Sequence, residues 1–167
     1  VGLVLSPEPR RMLKILRRVT VAEGMSMAEL RPGPGFTIDY TIDFPEKAIG
    51  KQHFKLDVNR ASFAHDLADC RTFARLGEIE ALRRAGLARG GDLTNAVVVD
   101  GDRVLNPNGL RRADEFVRHK ALDAVGDLAL AGGPIQGSYS AERGGHEMTY
   151  RLLKAVFADR RAYRCVD

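Results

Sequence analysis

The sequence has little of what would staple a fold or anchor it in a membrane. Its 167 residues include two cysteines, Cys70 and Cys165, and no tryptophan. Two cysteines so far apart exclude a disulfide-dense secreted scaffold and fit a reducing compartment, the cytoplasm. Purely apolar runs such as Ala96-Val97-Val98-Val99 fall far short of the roughly 20 residues of a spanning helix. No repeat, low-complexity tract or secretory-signal pattern is read. There is no strong excess of one charge either. Lys and Arg number 26 against 22 Asp and Glu, a net +4, which suits an anionic ligand without selecting one. No helix-turn-helix, zinc knuckle or aromatic ribonucleoprotein motif accompanies the basic cluster Arg10, Arg11, Lys14, Arg17 and Arg18. A nucleic-acid partner is therefore not expected, and the cluster reads as a solvated strand edge.

What is present is an ordinary soluble composition, 44% hydrophobic and 29% charged, enough for one well-buried domain. The first third alternates. Phe36, Ile38, Tyr40, Ile42 and Phe44 fall on one face of a half-buried strand, stopped by Pro45. Phe54, Leu56 and Val58 continue the pattern after His53, Lys55 and Asp57. Helical patterns then take over. Asn59 caps a helix to about Asp69, Glu78 to Ala85 forms a second, about Asp114 to Ala131 the longest, and the last runs through Phe157. Strands are expected at Ala96–Val99 and Ile135–Ala141. Strands followed by helices indicate an α+β two-layer sandwich, an antiparallel-rich sheet with helices on one face, with a small β-α-β excursion at about 71–100.

The segment Glu115-Phe116-Val117-Arg118-His119-Lys120-Ala121-Leu122-Asp123-Ala124-Val125-Gly126-Asp127 carries the chemistry. His119 and Asp123 are one helical turn apart on one face, a pair that can share a metal ion. Such a pair is also a common surface contact worth a few tenths of a kcal/mol. Asp127 extends the stripe, and Phe116, Leu122 and Val125 are expected on the opposite, core side. His146 follows Arg143-Gly144-Gly145 at a strand-to-helix turn, where a histidine can donate a proton to a developing anion or be incidental. His53 and His65 read as surface or satisfied core residues rather than ligands.

The run from Phe116 to Leu128 resembles the signature of the UDP-3-O-acyl-N-acetylglucosamine deacetylases, zinc amidases of lipid A synthesis in Gram-negative bacteria. Four further segments agree in order: Thr37 to Phe44, Cys70-Arg71-Thr72-Phe73 through Gly91, Asn106 to Arg111, and Gly144-Gly145-His146. The resemblance implies two similar domains, each a five-stranded sheet with two helices, packed around zinc. On that basis residues 1–24 would be the tail of a first domain and a linker, and 25–167 the second domain. His119 and Asp123 would be two of three protein ligands to Zn2+. His146 would protonate the leaving amine or stabilise the oxyanion as an imidazolium. Asp127 would orient His146, and Thr72 would donate to the oxyanion. Lys120 and Arg143 would meet the diphosphate of the UDP-sugar, and Asp43 and Phe44 its uridine, with Phe73 beside them. Ile79, Ala88, Ala96 and Val98 would line a tunnel for the acyl chain. The family's first domain supplies a Glu-His motif with the third ligand and the general base. No Glu-His pair occurs in this sequence. The chain is accordingly expected to be a fragment that binds zinc weakly, is inactive alone, and exposes an apolar face suited to self-association. The alternative is a non-catalytic nucleotide or acidic-ligand binding domain.

Overall fold

A computed structural model describes residues 11–86 and 90–166. Ten strands and four helices follow in order: β1 (Met12–Ile15), β2 (Val19–Glu23), β3 (Ser26–Arg31), β4 (Phe36–Asp43), β5 (Lys51–Asp57), α1 (Arg60–Asp66), β6 (Thr72–Arg75), α2 (Leu76–Arg84), β7 (Ala96–Asp100), β8 (Arg103–Val104), α3 (Glu115–Leu128), β9 (Ile135–Glu142), α4 (His146–Ala158) and β10 (Tyr163–Val166). The α+β sandwich and the excursion are as the sequence indicates. The main sheet has seven strands rather than five. β9 is its spine, parallel to β4 on one side and bordered on the other by β1 (parallel) and β3 (antiparallel). β10 covers β1. The basic cluster therefore does not lie on a sheet edge as expected. Lys14 sits inside the sheet opposite Arg164, and Arg10 lies outside the described residues. β1 and β2 pair into the same sheet as the rest.

The alternation in β4 does what it indicates: Ile38, Tyr40 and Ile42 are buried. Both α3 and α4 pack on that apolar face, α3 over β4 and β5 and α4 over β2 and β3. On α3 the buried residues are Glu115, Phe116, Val117, Ala121, Ala124 and Leu128. The sheet-facing stripe is Val117-Ala121-Ala124-Leu128, at helical spacing. Leu122 and Val125 are only half-buried. Phe116 is not opposite His119. Three residues before it, Phe116 shares its side of the helix and is covered by Phe73 at a ring separation of 5.0 Å.

The excursion is a second, three-stranded sheet. β6 and β7 are parallel and joined by α2, and β8 returns against β7. Asn59 caps α1, its Oδ1 accepting from the amides of Ala61 and Ser62. Gly133 permits a close crossing. A Cβ there would lie 2.2 Å from the carbonyl oxygen of Arg11. The obstacle is backbone and cannot swing aside, so Gly133→Ala should destabilise the chain by about 1–3 kcal/mol. Urea midpoints measure this, and an unchanged midpoint would contradict the crossing.

Candidate functional site

A cleft of about 300 Å3 opens where α3, β6 and the turn before α4 meet. It is lined by Phe44, Thr72, Phe73, Ala74, Arg75, Glu78, His119, Lys120, Asp123, Gly144 and His146. Of the residues singled out from the sequence, Thr72, Phe73, Phe44, His119, Lys120, Asp123 and His146 thus converge. Asp127 reaches the same place through His146, whose Nδ1 lies 2.8 Å from its carboxylate. Arg143 and Asp43 form an ion pair with each other beside it. Ile79, Ala96 and Val98 do not line the cleft. Ala96 and Val98 alternate with Val97 and Val99, which join the main core, so they share the other face of β7. Ala88 lies outside the described residues.

Each functional side chain is placed by a local feature. His119 and Asp123 stand on the half-buried, cleft-facing stripe of α3, with His119 Nε2 3.2 Å from Asp123 Oδ1. The other ring nitrogen, Nδ1, is 3.2 Å from the Cys70 carbonyl oxygen. A carbonyl only accepts, so Nδ1 carries the proton, and a neutral ring then turns its Nε2 lone pair toward the carboxylate. Two acceptors face one another there, a place for a proton or a cation. Two ligands bound at about 2.0–2.2 Å to a tetrahedral ion stand roughly 3.3–3.5 Å apart, close to the observed separation. An imidazole nitrogen with a carboxylate oxygen is a donor set zinc accepts, so the two residues fit. Among the described residues no three His, Cys, Asp or Glu side chains group to hold a metal ion.

Burial alone would raise the Asp123 carboxyl. The neighbouring His119 and Lys120, whose Nζ donates to it at 2.8 Å, outweigh that and hold it at about 2. Cys70 is no competing ligand. Burial, with Asp69 and Glu115 nearby, pushes its thiol up to about 11, so it stays protonated.

Gly145 is the extended N-cap of α4, and His146 its first residue. Arg143 adopts a left-handed φ of 48° at the bend out of β9, and its amide donates to Thr41. Thr149 donates to the Gly145 carbonyl and lies 3.0 Å from the Tyr139 hydroxyl, buttressing the turn from below. The insert wall is aromatic: Phe73 stacks edge-on with Phe44 at 5.5 Å and with Phe116.

Two groups escaped the reading of the sequence. Arg75 and Glu78 are ion-paired on the cleft wall, with Glu46 of the β4–β5 loop bound to Arg75 as well. Their signal was available, since they lie two and five residues after Phe73. Glu115 was also missed. It is fully buried and accepts from the Arg71 amide (3.0 Å), Arg71 Nε (2.9 Å), Arg71 Nη2 (3.0 Å) and the Arg111 amide (2.7 Å). His53 and His65 are exposed and pair with Asp39 and Asp66, away from the cleft lining.

A family model described as LpxC, UDP-3-O-acyl N-acetylglycosamine deacetylase, matches residues 1–158. Curated relatives carry the name UDP-3-O-acyl-N-acetylglucosamine deacetylase. That of Phenylobacterium zucineum is 51% identical over 156 residues, covering 93% of this chain and 53% of the relative. That of Bdellovibrio bacteriovorus is 42% identical over 167 residues, covering 100% of this chain and 55% of the relative. That of Shewanella loihica is 45% identical over 169 residues, covering 100% and 55%. The chain spans about half the length of the curated relatives it matches.

The buried carboxylate generates a pH prediction. Burial raises the Glu115 carboxyl, but hydrogen bonds from Arg71 and the two amides, with the Arg71 charge, hold it below its ordinary value. A lowered folded-state value adds stability above the unfolded value of about 4.3, and this is lost as pH falls below it. Glu115→Gln should therefore be less stable at pH 7, with the gap to the parent narrowing between about pH 5 and pH 3. Urea titrations across that range check this; a gap independent of pH would contradict it.

Proposed function

We propose, from the premise that this chain belongs to the UDP-3-O-acyl-N-acetylglucosamine deacetylase family, that it forms one half of a zinc-dependent amide-hydrolysing site. The substrate would be the acetamido group of a 3-O-acylated UDP-sugar. The observation that carries the reading is the convergence of the His119–Asp123 pair, the His146–Asp127 pair and Thr72 on one cleft.

His119 Nε2 and Asp123 Oδ1 would hold zinc, with the third protein ligand and the general base coming from outside residues 1–167. When bound, zinc supplies carbonyl polarisation and a water of lowered pKa. Asp123 is already a carboxylate, so it is ready to ligate. Lys120 would exchange its bond to Asp123 for a phosphate oxygen. Arg143, now bound to Asp43, would turn to the same diphosphate and leave Asp43 and Phe44 for the uridine.

His146 is oriented for proton delivery. Its Nδ1 is engaged by Asp127, and its Nε2 lies 3.9 Å from Asp123 Oδ2, beside the proposed metal position. From there Nε2–H would protonate the leaving amine. The exposed Thr72 hydroxyl would donate to the oxyanion, stabilising charge that exists only in the transition state. The apolar faces of the insert, including Ile79, Ala88, Ala96 and Val98, would receive the acyl chain.

The remaining half of the protein would cover the helix layer. An apolar hollow beside α3, lined by Phe36, Val125, Leu128 and Ile135 among others, and the half-exposed Tyr150 of α4 support that. The same surfaces would serve self-association of the chain alone. No helix among the described residues is long and apolar enough to cross a membrane. With both cysteines free, the reading places the protein in the cytoplasm.

The test joins this chain to the remaining half of the Phenylobacterium relative. The chain alone should show no deacetylation, and the joined protein should turn over. His146→Ala and Asp127→Asn should lower kcat by about 10²–10⁴-fold with KM little changed. Full turnover by either variant, or by the chain alone, would overturn the assignment.

A further inference from the structure

We propose that Glu115 is a positioning residue that sets the tautomer of His119 by way of the Cys70–Arg71 peptide. This deepens the metal-site reading and rests on it for its catalytic consequence. Its own content concerns the metal-free chain.

Glu115 does not line the cleft. It lies on the first turn of α3, one turn before His119, and is 0% exposed. A carboxylate in such a place costs several kcal/mol unless its oxygens are satisfied, and four N–H groups satisfy them. Three of those donors belong to Arg71, and one of the three is a main-chain amide. That amide matters most. The N–H of Arg71 and the C=O of Cys70 belong to a single planar trans peptide. Its amide donates to Glu115 Oε1 at 3.0 Å, and its carbonyl accepts from His119 Nδ1 at 3.2 Å. One rigid unit thus bridges two residues of the same helix. The Arg71 side chain is fixed as well, because its Nη2 also donates to the Gly109 carbonyl at 2.9 Å.

The consequence is a choice between two tautomers. Asp123 Oδ1, 3.2 Å from Nε2, would accept a proton carried there. That would favour the Nε2–H ring, which has no lone pair facing Asp123. The Cys70 carbonyl favours the Nδ1–H ring, which has one. The Cys70 carbonyl prevails only while its peptide keeps its orientation, and Glu115 maintains that orientation. Thr72, next along the chain, is held by the same restraint.

The test uses the zinc-free chain labelled with 15N at its four histidines. Long-range proton–nitrogen correlation spectra at about pH 8.5, above the ordinary imidazole range, report each ring's tautomer. In the parent, His119 is expected as Nδ1–H. Glu115→Gln and, separately, the paired change Glu115→Leu with Arg71→Met should shift it toward Nε2–H while His53 and His65 keep their tautomers. The paired change removes the acceptor of the Arg71 amide and both buried charges together, and serves where Glu115→Gln fails to fold. A parent His119 in the Nε2–H form would overturn the proposal outright. So would either folded variant with the His119 spectrum unchanged. Failure of the joined protein to bind zinc would remove the metal reading while leaving the tautomer result in place.

Discussion

The buried Arg71–Glu115 ion pair is the constraint on which the cleft depends. The two side chains are 8% and 0% exposed, and neither could be there without the other. Removing one partner of such a pair typically costs about 3–5 kcal/mol, because the other is left charged and dry. What the pair supplies is geometry. It fastens the start of the insert to the start of α3 and, through the Arg111 amide, to the loop between them. Cys70, Thr72 and Phe73 are consequently held in one register against His119. The edge-on stack Phe44–Phe73–Phe116 closes the same joint from its apolar side.

The second fixed object is the turn from β9 into α4. β9 runs through the centre of the sheet, so its end is among the best-anchored points in the molecule. The left-handed Arg143 and the extended Gly145 let the chain reverse there and begin a helix with His146. Two rigid supports therefore face each other, one carrying His119 and Asp123 and the other His146. Asp127, a turn further along α3, ties them together. The negative charge of Asp123 is offset at close range by Lys120, with His119 beside it, which is why Asp123 remains ionised despite its burial.

The chemistry-bearing helix was legible because its signals are local. His119, Asp123 and Asp127 repeat at four-residue spacing, and Gly132 closes the helix region with a φ of 82°. The strand β4 was legible for the same reason, at period two. β3 was not, because its buried Glu29 breaks the alternation, and that carboxylate is satisfied by Arg18, just before β2, and Thr20 of β2. β10 is four residues long and follows a helix; it is a strand only because β1 is there to pair with it. The misassigned side of Phe116 has a similar origin. Phe116 is in the core as its apolar side chain indicates, but it is buried on the side of His119 by Phe73 of the insert, a contact with no local signal. The Arg71–Glu115 pair spans 44 positions, and the partner of His119 is a main-chain carbonyl, which leaves no mark in a sequence. What escaped was contact between distant segments, and the resemblance to a family supplied roles that spacing alone left open.

The central claim is that this chain contributes two of the protein ligands to a metal site completed elsewhere in the protein. Zinc content of the chain joined to the remaining half of a relative, before and after the double change His119→Ala and Asp123→Ala, tests it most directly. The account predicts one zinc per molecule in the parent and loss of that zinc in the double variant. Stoichiometric zinc retained by a folded double variant would contradict it.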